Sequence, residues 1–266
     1  MLQRGLAEAQ HLVREFAKTI ANGEDVGSPT RLPKLASGDD IIVFIVFAVA
    51  LGAFNWGMRL LVIKPIVRRL LWPGHHQLKK RSSTFEEQKV DKFSQTAMEF
   101  LFYGVFAYFN CIVFSSQQWG WPSERWWINY DKVDPESGYS IHAFMTETVA
   151  AYFLLYGARY AQGMLSVLLE HRRKDFVEMQ IHHFVVVALV SMAYSYGWVR
   201  IGMAIMVVQD PADVPLHIAK MLKYLGDARC PGNPKNFYQV RSRCIRYHCV
   251  FKHLLRYSYV RFTFRY

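Results

Sequence analysis

IIVFIVFAVALGAFNWGMRLLVI, residues 41–63, is the stretch that decides the fold. At about 1.5 Å per residue it crosses a hydrocarbon layer of roughly 30 Å. Its single charge, Arg59, lies near its end and can snorkel to the interface. Lys64, Arg68 and Arg69 follow, then Lys79, Lys80 and Arg81. Basic loops stay in the cytosol, so this one is expected there and the N-terminus on the lumenal side.

Working outward, a second apolar run covers about Gln95 to Phe114 and leads into Gln117–Asp131. That loop carries Trp119, Trp121, Trp126 and Trp127, a residue type that favours the membrane–water interface. A third run, Phe144 to Leu169, ends at His171-Arg172-Arg173-Lys174, again basic and so cytosolic. A fourth covers Phe176 to about Tyr196. A fifth starts near Trp198 and passes through Val208 into Asp210–His217. The expectation is an all-α polytopic transmembrane bundle or barrel with about five recognisable spans, 41–63 being the first.

The flanks differ from this core. In the N-terminal region, residues 1–40, the first 25 residues lack the apolar run of a signal peptide, and Leu2, Leu6, Val13, Phe16 and Ile20 predict a short amphipathic helix. Residues 226–266 hold nine Lys/Arg against one Asp, which accounts for eight of the eleven net positive charges. This divergent basic tail is rich in Tyr and has no run of about 18 apolar residues, so it predicts no sixth span. Nucleic-acid binding is not implied, because the remaining basic residues flank apolar runs as topology requires. Cys111, Cys230, Cys244 and Cys249 form no CxxC pair, which argues against a zinc site or a disulfide framework.

Four polar residues interrupt the apolar spans: His182, His183, Asp210 and Asp213. Ionisable groups inside a bilayer cost about 2.5–3.5 kcal/mol each on insertion scales, so they mark function by default. His182 lies about eight residues beyond Lys174, roughly 12 Å at helical rise. Asp210 falls near the cytosolic end of the fifth run, and antiparallel neighbours joined by a short turn would bring the two motifs together. A carboxylate beside an imidazole stabilises the imidazolium, and the imidazole can take a proton from an amine or attack an activated acyl group. Blander readings exist. Asp210-Pro211 also fits a helix N-cap with Asp213 in the first turn, and histidines in membranes often only bond across helices. Neighbouring histidines on one helix chelate a single ion poorly, so no metal is expected.

Lys174-Asp175-Phe176, Met179, His182-His183-Phe184, Arg200-Ile201-Gly202, Asp210, Ala212-Asp213 and Ala219-Lys220-Met221 together resemble the longevity-assurance motif of ceramide synthases. That motif belongs to the TLC domain, here residues 91–225 with the motif core at 174–224. The resemblance implies a helical membrane barrel in the endoplasmic reticulum. It implies transfer of a fatty acyl group from acyl-CoA, the co-substrate, to a sphingoid base, with no further cofactor. It also implies that His182, His183, Asp210 and Asp213 line the active site. Arg200, Lys220, Arg172 and Lys174 are then the candidate substrate-binding residues, and a homo- or heterodimer is compatible with the family. The alternative is a non-catalytic TLC-domain protein that binds or senses lipid. This chain departs from the family pattern at Gln209, Pro211, Pro215, Gly197 and His217, the last standing where an acidic residue is common. Membrane helices normally follow the motif in the family, and here they are expected to be missing or divergent.

Overall fold

A computed structural model describes residues 2–25, 27–34, 38–71, 84–169 and 176–229. Lys79, Lys80, Arg81, His171, Arg172, Arg173, Lys174 and the tail from 230 onward lie outside the described residues. The elements are α1 (Leu2–Asn22), α2 (Asp39–Met58), a π-helical turn (Arg59–Ile63), α3 (Lys64–Leu71), α4 (Thr84–Ser116), α5 (Glu147–Leu169), α6 (Phe176–Ser195) and α7 (Val199–Arg229). Among the described residues the only strand-like pairing is two isolated bridges, Arg31 with Met145 and Val133 with Ser140. The all-α membrane architecture expected from the sequence is what forms.

Among the described residues three helical runs are long and apolar enough to cross a membrane: Asp39–Leu71, Glu87–Ser116 and Phe176–Ser195. α5 and α7 are long enough but less apolar. α5 shows why. It is buried from Thr148 through Tyr160 apart from Leu155, enclosed by protein rather than lipid. An enclosed membrane helix can carry Tyr, Thr, Gly and Gln, because neighbouring helices satisfy them. α6 is the opposite case: Ile181, Phe184, Val185, Leu189 and Met192 all face outward, as lipid contact requires.

The first run differs from expectation at its C-terminal end. Lys64, Arg68 and Arg69 are helical, not looped, because α4 supplies counter-charges. Lys64 pairs with Asp91 at 2.6 Å and Arg68 with Glu87 at 2.5 Å. Arg59 opens the π turn and is half-buried, its Nε shielded from solvent. The third run begins at Glu147 rather than Phe144, after a 3₁₀ turn at Ile141–Ala143. In that turn the Ser140 side chain accepts from the His142 N–H.

α1 forms, and part of the expected stripe packs: Phe16 meets Phe109 and Tyr152, and Ile20 is half-buried. Leu2, Leu6 and Val13 are exposed, whereas Gly5, Ala9, Leu12 and Thr19 are buried. The reason is close approach to α2. A Cβ on Gly5 would lie 2.4 Å from Ile42, so small residues rather than large ones mark the packed face. Gly197 is the other glycine with a clear duty. It adopts φ of 77° in the turn between α6 and α7, where any side chain would also crowd Ala143.

The chain divides into two compact units: Met1–Ala53 with Tyr108–Val207, and Phe54–Ala107 with Val208–Tyr266. The first unit centres on α5 and is fastened by Arg31. This guanidinium is buried and pairs with Glu8 at 2.5 Å, Asp40 at 2.5 Å and Glu147 at 2.6 Å. Asp40 also accepts from the Tyr194 hydroxyl and from the Lys34 backbone N–H. Burial opposes charge on Arg31, but its carboxylate partners hold it protonated beyond its usual range. Close by in sequence, Asp25 accepts from Thr146 Oγ1 and Gln117 Nε2. The tryptophan loop is ordered too: Trp119, Trp121 and Trp126 all pack edge-on against Phe114.

In the second unit the end of α2, the π turn and α3 run antiparallel to α4. Phe54 meets Phe102, Lys64 meets Asp91 and Arg68 meets Glu87. Val67, Leu71, Val90 and Phe93 form the core of this unit, with Met221, Tyr224 and Leu225 of α7 packed against it.

Candidate active site

The two neighbouring histidines sit on α6 and diverge as adjacent helical residues must, by about 100°. His183 is 8% exposed and His182 half-buried. Their ring centroids are 5.6 Å apart. Tyr160 of α5 lies edge-on to both, 5.4 Å from His183 and 6.0 Å from His182. Gly163 leaves room for the imidazole: a Cβ there would stand 3.4 Å from His183 Cε1 and Nε2. The Arg159 guanidinium covers the Tyr160 ring at 4.6 Å.

Tyr160 ends a ladder. Tyr152, Tyr156 and Tyr160 stand at i, i+4 spacing on one buried face of α5, with centroids 5.7 and 5.1 Å apart. The Tyr156 hydroxyl donates to that of Tyr160 at 3.4 Å. Sequence reading passed over Tyr160. The four-residue spacing of the three tyrosines within the third run was the signal that could have found it.

Asp210 and Asp213 lie on α7, in the middle of one continuous helix. The N-cap reading of Asp210-Pro211 is therefore wrong. α7 begins at Val199, and both Pro211 and Pro215 are inside it. Each proline removes one helical N–H, which loosens the backbone of this turn. Asp210 is 1% exposed, and Asp213 half-buried. His217 and Lys220 continue the same face at spacings of four and three residues. His217 is 3% exposed. Its Nδ1 lies 3.3 Å from Glu99 Oε2 of α4, and its ring stacks on Tyr103 with centroids 4.9 Å apart. Glu99 was missed as a candidate, although a lone carboxylate inside the second apolar run was visible.

The structure gathers the expected residues in two groups. His182 and His183 belong to the first compact unit, Asp210 and Asp213 to the second. Arg200 and Lys220 belong to different compact units, Arg200 to the first and Lys220 to the second. Arg200 occupies the first turn of α7, donates to the Arg125 carbonyl at 3.2 Å and faces Trp119. Lys220 shares the face of Asp213 and His217. Arg172 and Lys174 fall outside the described residues. Among the described residues no group of three or more His, Cys, Asp or Glu is arranged to hold a metal ion.

Comparison with known proteins adds to this geometry. The family model of the TLC domain matches residues 92–262. The chain is 25% identical over 190 residues to a ceramide synthase of Gibberella moniliformis, covering 71% of this chain and 39% of that protein. It is 26% identical over 189 residues to Alternaria stem canker resistance protein 1 of Solanum lycopersicum, covering 70% and 59%. It is 33% identical over 136 residues to ceramide synthase 5 of Homo sapiens, covering 51% and 32%. The chain thus spans about a third to three fifths of the length of these relatives.

Proposed function

Because the chain belongs to the TLC-domain family, we propose that it is a ceramide synthase, an acyl-CoA-dependent sphingosine N-acyltransferase. The substrates in this reading are a fatty acyl-CoA and a sphingoid base; the products are ceramide or dihydroceramide and free CoA. The protein works as a multi-pass protein of the endoplasmic reticulum membrane with its N-terminus lumenal.

The observation that carries the reading is the retention of His182, His183, Asp210 and Asp213 within membrane-type helices, in a chain whose relatives include proteins named for this reaction. Buried ionisable groups are too costly in a bilayer to be idle packing. One imidazole of the pair attacks the acyl group or takes the proton of the amine. His183, the more buried and the one held between Tyr160 and Gly163, is the better placed of the two for a fixed orientation. Asp210 and Asp213 stabilise the positive charge that develops during transfer. Lys220, Arg200, Arg172 and Lys174 are assigned to substrate binding, the cationic side chains suiting the phosphates of CoA.

The test is acyl transfer in microsomes from a host without ceramide synthases of its own, supplied with sphinganine and mixed acyl-CoAs. Ceramide is expected from the parent chain and loss of at least about 100-fold from His182→Ala, His183→Ala or Asp213→Ala, the scale of a lost acid–base group. A well-expressed parent that makes no ceramide sinks the proposal and leaves the non-catalytic lipid-binding reading.

A further inference from the structure

His217 has no part in the assignment above, yet it is among the most completely buried ionisable side chains of α7. Three observations meet on it. It shares one face of α7 with Asp210, Asp213 and Lys220. A carboxylate, Glu99 Oε2, stands 3.3 Å from its Nδ1. The Tyr103 ring stacks against it and fixes its plane. Glu99 stands close enough to stabilise the imidazolium that forms when the ring takes up a proton, although its carboxylate makes no hydrogen bond to Nδ1. An oriented imidazole with a carboxylate behind it is the arrangement that accepts a proton from a nucleophile.

The charged neighbours fit that task. Glu99 and Tyr103 face His217 from α4, and Asp213 and Lys220 flank it on α7. A π turn opens at Arg59, and such turns recur at functional sites.

We infer that His217, oriented by Glu99, is the proton acceptor for the long-chain amine in the acyl transfer proposed above, and that Tyr103 and Glu99 are its positioning residues. As the amine nitrogen bonds to the acyl carbon, its proton passes to His217 Nε2. The bond from the acyl carbon to its leaving group breaks with the electron pair, and for a thioester the departing thiolate takes up a proton as CoA is released. This rests on the acyltransferase reading and deepens it.

The experiment uses the full chain in microsomes lacking other ceramide synthases, with kcat and the KM values for sphinganine and acyl-CoA measured separately. His217→Ala is expected to lower kcat about 100-fold with the acyl-CoA KM unchanged. Added imidazole should restore at least a tenth of the lost rate, which a purely structural role would not allow. Glu99→Gln should lower kcat about 10-fold without altering the acyl-CoA KM. A His217→Ala rate within threefold of the parent, or a loss that imidazole does not relieve, overturns the inference. Should His217→Ala fail to accumulate, Glu99→Gln decides, and an unchanged kcat overturns it. An active parent with indifferent variants refutes this inference alone. An inactive parent refutes it together with the acyltransferase reading.

Discussion

The Arg31 clasp and the α7 face both bury charge, but they are built in opposite ways. Arg31 draws its partners from four places along the chain: Glu8, Asp40 with its neighbour Lys34, Glu147, and through Asp40 the hydroxyl of Tyr194. Its contacts are short and many-sided, and they join α1, α2, α5 and α6 within one unit. The α7 face takes Asp210, Asp213, His217 and Lys220 from eleven consecutive residues of one helix, with Glu99 added from α4. The first arrangement is what holding a fold together demands. The second gathers titratable groups along one helix face, the arrangement the proposed chemistry would use. Buried charge by itself therefore says little; in the clasp the carboxylates close on one guanidinium, whereas on α7 carboxylates, an imidazole and an ammonium share one face.

The largest effect that could break this distinction concerns the clasp. Arg31→Met leaves three carboxylates around an apolar side chain, and removing one partner of a buried pair costs about 3–5 kcal/mol. Loss of detergent-solubilised folded protein on heating should report it, while any molecule that does fold should keep its acyl-transfer rate. A variant that stays stable but inactive would place Arg31 with the chemistry. The reverse is expected of His183→Ala: activity lost by the factor given above, with melting temperature nearly kept. If it unfolds instead, the imidazole is a packing element and the contrast fails.

Smaller effects sharpen the contrast. Gly163→Ala puts its methyl at ordinary contact distance from the His183 ring, and alanine favours a helix by about 1 kcal/mol over glycine. It should raise stability slightly with activity within twofold. Gly163→Val adds branches toward the ring and should cost activity about 10-fold, a split read by pairing melting curves with rates. The smallest effect is one of pH, in the tryptophan loop. Burial holds the His142 imidazole below its usual range, against the opposing pull of its bond to the Ile128 carbonyl. A depressed folded value means the unfolded chain binds the proton first. The contribution is therefore complete above about pH 6.5 and fades as pH falls toward the folded value. Protection of residues 128–142 against hydrogen exchange, taken relative to the intrinsic rate at each pH, should fall on acidification, and His142→Gln should remove that dependence.

Much of the fold was legible because lipid imposes length and apolarity on helices that touch it. That held for the run at 41–63 and for α6. It held less well for α5, whose Arg159, Gln162 and tyrosines are tolerable only because other helices enclose it. Tertiary enclosure leaves no local signature. The buried face of α1 was only partly legible for a related reason: Phe16 packs as its size suggests, but packing through Gly5 and Ala9 depends on what approaches. For the candidate site, the residue types were readable but their companions were not. Glu99 and His217 are 118 positions apart, and only the fold makes them a pair. Asp210 looked like a helix start because proline usually follows one, whereas α7 had already run three turns.

The π turn at Arg59–Ile63 has a consequence for how this chain tolerates change in length. A π turn holds roughly one residue more than an α turn, so it stores the equivalent of a single-residue insertion. Deleting one residue from 59–63 would let the helix relax to ordinary winding with the segment beyond it still facing the same way. Lys64 would keep Asp91, and Arg68 would keep Glu87. The same deletion in the ordinarily wound helix before Arg59 would instead turn everything beyond it by roughly 100° about the axis. A chain shortened by one residue within the π turn would keep both its hydropathy and its register.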